Sequence, residues 1–89
     1  MDFEWDESKA DANKRKHGVT FSEATEVFGD ELSSFVVDPN HSSGEERLLL
    51  FGRTESRKHL VVSFTERAEI VRIISARRMT PSERKAYEQ

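Results

Sequence analysis

Ile70-Val71-Arg72-Ile73-Ile74-Ser75-Ala76, then Arg77-Arg78, then Thr80-Pro81-Ser82-Glu83, is the stretch on which the fold turns. Its β-branched run predicts a strand over residues 69–76. Thr80 as N-cap, Pro81 as first helical residue and Glu83 as the reciprocal capping carboxylate predict a closing helix over residues 81–88, with Ala86 or Tyr87 packed back onto the sheet. The two arginines therefore sit at a rigid strand-to-helix corner, where cations suit an anionic ligand, phosphate first. Strict alternation would put Arg77 with Val71 and Ile73, and Arg78 with Ile70, Arg72 and Ile74, unless the final residues twist out of this register.

Upstream, three more strands are expected at about residues 32–37, 46–53 and 58–64. The turn-rich Asp38-Pro39-Asn40-His41-Ser42-Ser43-Gly44, then Thr54-Glu55-Ser56-Arg57 and Glu66-Arg67-Ala68 separate the strands, and such short connections favour an antiparallel meander. Two helices precede it. Asp6 caps the first, over residues 7–17, and Gly18 ends it; basic Lys14-Arg15-Lys16-His17 suit its C-terminal dipole. With only Ala10 and Ala12 apolar, this helix lies across the surface, with Phe3 and Trp5 anchoring its start. Ser22 is expected to cap a second, two-turn helix with Ala24, Val27 and Phe28 facing the core, ended by Gly29-Asp30. The expectation is an α+β fold, with two N-terminal helices, a four-stranded antiparallel sheet and a C-terminal helix, in one domain over residues 1–89.

The 35% apolar and 35% charged fractions are unusual for a globular chain, but the apolar residues cluster in the strands, so the chain folds. A chain of 89 residues has a small core, which a partner would help to complete. Arg72, Arg77, Arg78, Arg84 and Lys85 against Glu83 and Glu88 leave +3 on residues 70–89; the net charge of −3 then puts −6 on residues 1–69. A local basic patch on an acidic protein fits a phosphate site better than a generic nucleic-acid coat, the alternative being that these are solvated helix and strand-edge charges. Without cysteine there is neither a disulfide framework nor a thiol nucleophile. An acidic start and the lack of a long apolar run make the cytosol the default, with no membrane partner.

His17, His41 and His59 have no metal-ligand spacing, and the carboxylates form no calcium-loop pattern, so neither a metal nor another cofactor is expected. His17 is either a helix-capping histidine or a proton carrier whose pKa the neighbouring cations depress. Arg47 shares a strand face with Leu49 and Phe51, and Glu46 with Leu48 and Leu50; the sequence leaves open which pair faces the core. Arg67, in a tight turn region, can swing toward the same sheet end as Arg77. No helix-turn-helix or long basic recognition helix is present, so direct DNA reading is not expected.

Phe3-Glu4-Trp5-Asp6, Lys9, Asn13, Lys16-His17-Gly18-Val19-Thr20-Phe21, Ala24 and Val27-Phe28-Gly29-Asp30 resemble the BrnT family of bacterial toxins. So do Glu45-Glu46-Arg47, Gly52-Arg53, Leu60-Val61-Val62, Thr65-Glu66-Arg67, Arg72 through Arg78, Ser82-Glu83-Arg84 and Tyr87-Glu88. The resemblance covers nearly the whole chain. It implies a RelE-like ribonuclease fold and a type II toxin that inhibits translation and is neutralised by a BrnA-type antitoxin, with DNA bound only through that antitoxin. The expected chemistry is metal-independent RNA cleavage by the ribose 2′-hydroxyl. Arg77, Arg67 and Arg47 are the candidate phosphate clamps, His17 and Glu46 the candidates for proton transfer, and Lys16, Arg78 and Tyr87 those for positioning RNA. The expected complex holds two copies of each chain. The rival readings are a non-catalytic binding module and a transcriptional co-repressor.

Overall fold

A computed structural model describes residues 1–40 and 46–89. The elements in chain order are β1 (Asp2–Glu4), α1 (Glu7–His17), α2 (Phe21–Val27), β2 (Ser34–Val37), β3 (Leu48–Arg53), β4 (His59–Arg67), β5 (Ile70–Arg78) and α3 (Pro81–Tyr87). The strands form one five-stranded sheet ordered β1-β5-β4-β3-β2. Most of the turn-rich connection expected over residues 38–44 falls outside the described residues.

The sheet is mixed, which corrects the four-stranded antiparallel expectation. Residues 2–4, read only as an anchor for α1, form β1, which runs parallel to β5 with Phe3 opposite Val71 and Glu4 opposite Arg72. Three residues carry too little alternation to announce a strand, and their partner lies almost seventy residues away. Burial stabilises the pairing: Phe3 meets Phe28 edge-on at 5.1 Å, and Phe28 meets Phe64 of β4 at 5.0 Å.

Both first helices end as expected, but α2 starts earlier. Asp6 Oδ1 accepts from Ser8 N at 2.8 Å and Lys9 N at 3.1 Å, and Gly18 closes α1 in the left-handed region at φ 69°. Thr20, not Ser22, caps α2, because only Thr20 has a glutamate three residues on: Glu23 N donates to Thr20 Oγ1 at 3.0 Å and Thr20 N to Glu23 Oε1 at 2.9 Å. Strands β4 and β5 run on to Arg67 and from Ile70, joined by a tight turn in which Ala68 takes φ 54°.

The core lies between the sheet and the α1/α2 layer. Val19, Phe21, Ala24 and Val27 pack on Leu48, Leu50, Leu60, Val62, Phe64, Val71, Ile73 and Ala76. Gly52 permits this approach, since a Cβ there would meet Val27 Cγ1 at 2.6 Å. As its composition predicts, α1 buries just one side chain, Asn13. That side chain acts as a surrogate strand. Beyond the end of β1 it donates to Ala76 O at 2.8 Å and accepts from Ala76 N at 3.1 Å, closing the edge of β5, and it also donates to Val19 O at 3.0 Å. Among the described residues no helix is long and apolar enough to cross a membrane.

Candidate functional site

The register defines the other face of the sheet. Arg77 of β5 stands opposite Val61 of β4, which stands opposite Phe51 of β3, which stands opposite Ser34 of β2; the next row is Ser75, Ser63, Leu49 and Val36. Arg72 and Thr65 make a third row. Leu48 and Leu50 are buried in the core, so Arg47 shares the open face with Leu49 and Phe51. Asp38 N donates to Arg47 O at 2.8 Å, so the β2/β3 ladder continues through Arg47.

Arg77 is on this face because of an extra residue. Ser63 pairs with Ser75 but Phe64 pairs with Ile73, so Ile74 is a bulge in β5. The bulge reverses the alternation beyond it: Ala76 and Arg78 join Val71 and Ile73 on the helix side, and Arg77 joins Arg72 on the open side. The parity expected from the sequence is thereby corrected, because a register shift depends on the partner strand and leaves no periodic trace. Arg72, which the sequence reading did not single out as a site residue, belongs to the same face and bonds Glu4 of β1 at 2.9 Å.

Helix α3 crosses one corner of the open face and encloses a groove of about 340 Å³ lined by Ser34, Phe51, Ser82, Glu83, Ala86 and Tyr87. Two clamps hold it. Arg77 Nη1 and Nη2 meet the Glu83 carboxylate at 2.8 and 2.9 Å, a two-pronged pairing that fixes the guanidinium plane. Glu83 also accepts from Thr80 N at 2.8 Å. Arg77, despite some burial, holds Glu83 down to about 2, with the Thr80 amide assisting, and the same pairing raises the guanidinium.

The second clamp is Tyr87, whose hydroxyl donates to Asp30. Burial pushes Asp30 up, but the bonds from Tyr87, Leu32 N at 3.0 Å and Arg53 N at 2.8 Å outweigh it and leave the carboxyl lowered. Burial, and then Asp30, push Tyr87 up to about 12. The Tyr87 ring stands edge-on to His59 at 5.5 Å. His59 lies on the open face beside Arg53, and its pKa is lowered by burial first and then by Arg84 and Arg53, against the smaller pull of Glu88 and Asp30. No spacing rule flags His59, since its neighbours come from β3 and α3.

The sequence candidates therefore separate. Arg77, Arg47 and Arg67 have open-face parity, but Arg67, at the exposed end of β4 beside the Ala68 turn, pairs with Ile70 at the start of β5, while Arg77 pairs with Val61 near the end of β5. The expectation that Arg67 swings toward the sheet end of Arg77 is thereby corrected, because the antiparallel register holds the two at opposite ends. His17, half-buried, and Lys16, exposed, end α1 in the opposite layer, and Glu46 is exposed just before β3. Arg78 is exposed at the sheet end opposite Leu60. Among the described residues no group of three or more His, Asp or Glu is placed to hold a metal ion.

Residues 5–83 match the family model described as the ribonuclease toxin, BrnT, of type II toxin-antitoxin systems. The structure is similar to the crystal structure of the Brucella abortus ribonuclease toxin BrnT, with 26% identity, 90% of this chain and 97% of that chain covered, and a TM-score of 0.66. No curated protein sequence matches the chain. The family model spans α1, α2, β2 to β5 and the start of α3, and the chain belongs to the BrnT family of ribonuclease toxins of type II toxin-antitoxin systems.

Proposed function

We propose that the protein is a metal-independent endoribonuclease working on the open face of the sheet. The observation that carries this reading is the bulge at Ile74, which gathers Arg72 and Arg77 onto the face that also holds Arg47 and Arg67. In the reaction the ribose 2′-oxygen forms a bond to the adjacent phosphorus and gives up its proton. The bond from phosphorus to the 5′-oxygen breaks, leaving a 2′,3′-cyclic phosphate and a 5′-hydroxyl, which takes up a proton. Arg77, oriented by Glu83, meets the charge that develops on the phosphoryl oxygens, whereas Arg47 and Arg67, farther along the strands toward the other sheet end, hold neighbouring phosphates of the RNA backbone rather than the scissile one. Substrate phosphate competes with Glu83 for the guanidinium. His59, on the open face beside Tyr87 with its pKa lowered, is better placed to accept the 2′-hydroxyl proton than His17, which ends α1 in the other layer, or Glu46, exposed before β3. The Tyr87 ring offers a stacking surface at the corner of the open face, whereas Arg78, on the helix side of β5, and Lys16, at the end of α1, stand away from the proposed RNA track.

In the cell the reaction inhibits translation in the cytoplasm, and a BrnA-type antitoxin neutralises it in a complex with two copies of each chain. The test is cleavage of a defined RNA by purified protein in EDTA, with the new ends mapped. Cyclic-phosphate ends, undiminished by chelation, are expected. Activity lost in EDTA and restored by a divalent ion overturns the 2′-hydroxyl mechanism, and specific RNA binding without cleavage favours the binding-module reading.

A further inference from the structure

The two edges of the sheet are finished differently. The β5 edge is closed by β1 and by the Asn13 amide, whereas β2 is the other outer strand. Its apolar residues are solvent-exposed on both faces: Phe35 by 64%, Val36 by 50% and Val37 by 55%, with Leu32 just before it at 71%. An edge strand of this kind is a template for pairing unless something covers it.

The bond from Asp38 N to Arg47 O identifies which backbone groups face outward with no strand beside them among the described residues. Asp38 faces Arg47 as a hydrogen-bonded pair, and antiparallel alternation makes Val36 with Leu49 and Ser34 with Phe51 the next such pairs. The amides and carbonyls of Phe35 and Val37 therefore point out of the sheet. A strand laid there would bond to those two residues, cover Phe35 and Val37 on one side and Val36 on the other, and pass beside Ser34 at the rim of the groove under α3.

Charge selects the occupant. Between His17 and Arg47 the sequence holds seven Asp and Glu and neither Lys nor Arg. Exposed Glu31 precedes β2 and Asp38 follows it, and an open groove of about 520 Å³ at its start is lined by Glu26, Asp30, Glu31 and Glu55 against Arg53 and Arg57. RNA is repelled from such a rim. A second copy paired antiparallel on the same edge would bring the acidic ends of the two β2 strands together, which disfavours self-pairing.

We infer that the β2 edge is the docking site for an extended segment of the antitoxin, an alternating apolar strand flanked by Lys or Arg, added to the sheet by backbone pairing. The inference rests on the antitoxin reading above and adds the surface and the chemistry of the contact. A segment running from β2 into the α3 groove reaches the Arg77 face, so one contact both anchors the antitoxin and blocks RNA.

Val37→Pro tests this, since it removes an outward N–H without touching the β2/β3 ladder, a position where an edge strand tolerates proline. The probe is the product of the neighbouring open reading frame, co-expressed and also titrated as purified protein. Wild type is expected to be toxic alone and silent with that partner. The variant should remain folded and toxic, escape neutralisation and bind at least about tenfold more weakly, the loss of one interfacial hydrogen bond. In the wild-type complex, amide exchange at Phe35 and Val37 should slow by a similar factor or more. Neutralisation and affinity unchanged in Val37→Pro, or amides at Phe35 and Val37 that exchange equally fast with and without partner, overturn the docking site while leaving the toxin reading standing. A wild-type chain that is neither toxic nor bound by that partner overturns both. Self-association abolished by the variant, with partner binding intact, assigns the edge to a second copy and overturns the inference. Should Val37→Pro unfold, Phe35→Lys with Val37→Lys supplies the same test by charge repulsion.

Discussion

On its helix side the sheet presents Leu48, Leu50, Leu60, Val62, Phe64, Val71, Ile73 and Ala76 to α1 and α2, and the polar bonds there close backbone groups that water cannot reach. On the other side the same strands present Arg72, Ser75, Arg77, Ser63 and Phe51, covered at one corner by α3, which buries no residue of its own. The helix face is where stability resides, because apolar area leaves water there. The open face keeps its charges half-hydrated and pre-aimed, which stabilises the fold weakly but suits binding of an anion. Substitutions on the two faces should therefore separate into losses of stability and losses of activity.

Arg77→Ala should give the largest effect on activity. Removing a positioned charge from a developing phosphoryl charge costs ~10²- to 10³-fold in cleavage rate, whereas a half-exposed ion pair contributes about 1 kcal/mol to folding. Single-turnover cleavage and thermal melts on one preparation check this. A folded, fully active variant would remove Arg77 from the mechanism.

Asn13→Leu is the converse on the helix side. It leaves the N–H and C=O of Ala76 and the carbonyl of Val19 without their partner, which should cost ~2–4 kcal/mol and lower the melting temperature by roughly 10–20 °C. Cleavage by the fraction still folded should be nearly unchanged. A melt within a few degrees of wild type would show that the β5 edge does not need its surrogate strand.

Tyr87→Phe probes the corner where the faces meet. Losing the hydroxyl bond to Asp30 should cost ~1–2 kcal/mol and, because α3 has no buried residue, should appear first as faster amide exchange across Pro81–Tyr87. Uniform exchange changes across the whole chain instead would mean that α3 and the core unfold together.

The smallest effect is a titration. Glu83, held down to about 2 in the folded protein against an ordinary 4.5, favours folding above its unfolded pKa, and that contribution is lost as the pH falls from about 4.5 through about 2. Solvent exposure of the pair limits the loss to about 1 kcal/mol. Stability measured by denaturant melts across that window should show a component that vanishes in Glu83→Gln; a slope identical in the two proteins would contradict the pairing.

Much of this was written locally. The Asp6 cap, the Gly18 terminator, the Thr80-Pro81-Ser82-Glu83 corner and the apolar runs of β3, β4 and β5 are legible because caps and alternation depend on residues a few positions apart. The basic character of residues 70–89 and the family resemblance are legible for the same reason: they are properties of order along the chain. What the sequence could not decide is how the strands meet. β1 exists as a strand because Phe3 finds Val71 and Phe28, the faces of Arg77 and Arg78 are set by one bulge opposite Ser63 and Phe64, and β2 is left with an open edge because the sheet ends there. Each depends on a pairing between distant residues, and the free energy that selects one register over another comes from burial in the assembled core, which exists only once the tertiary structure has formed.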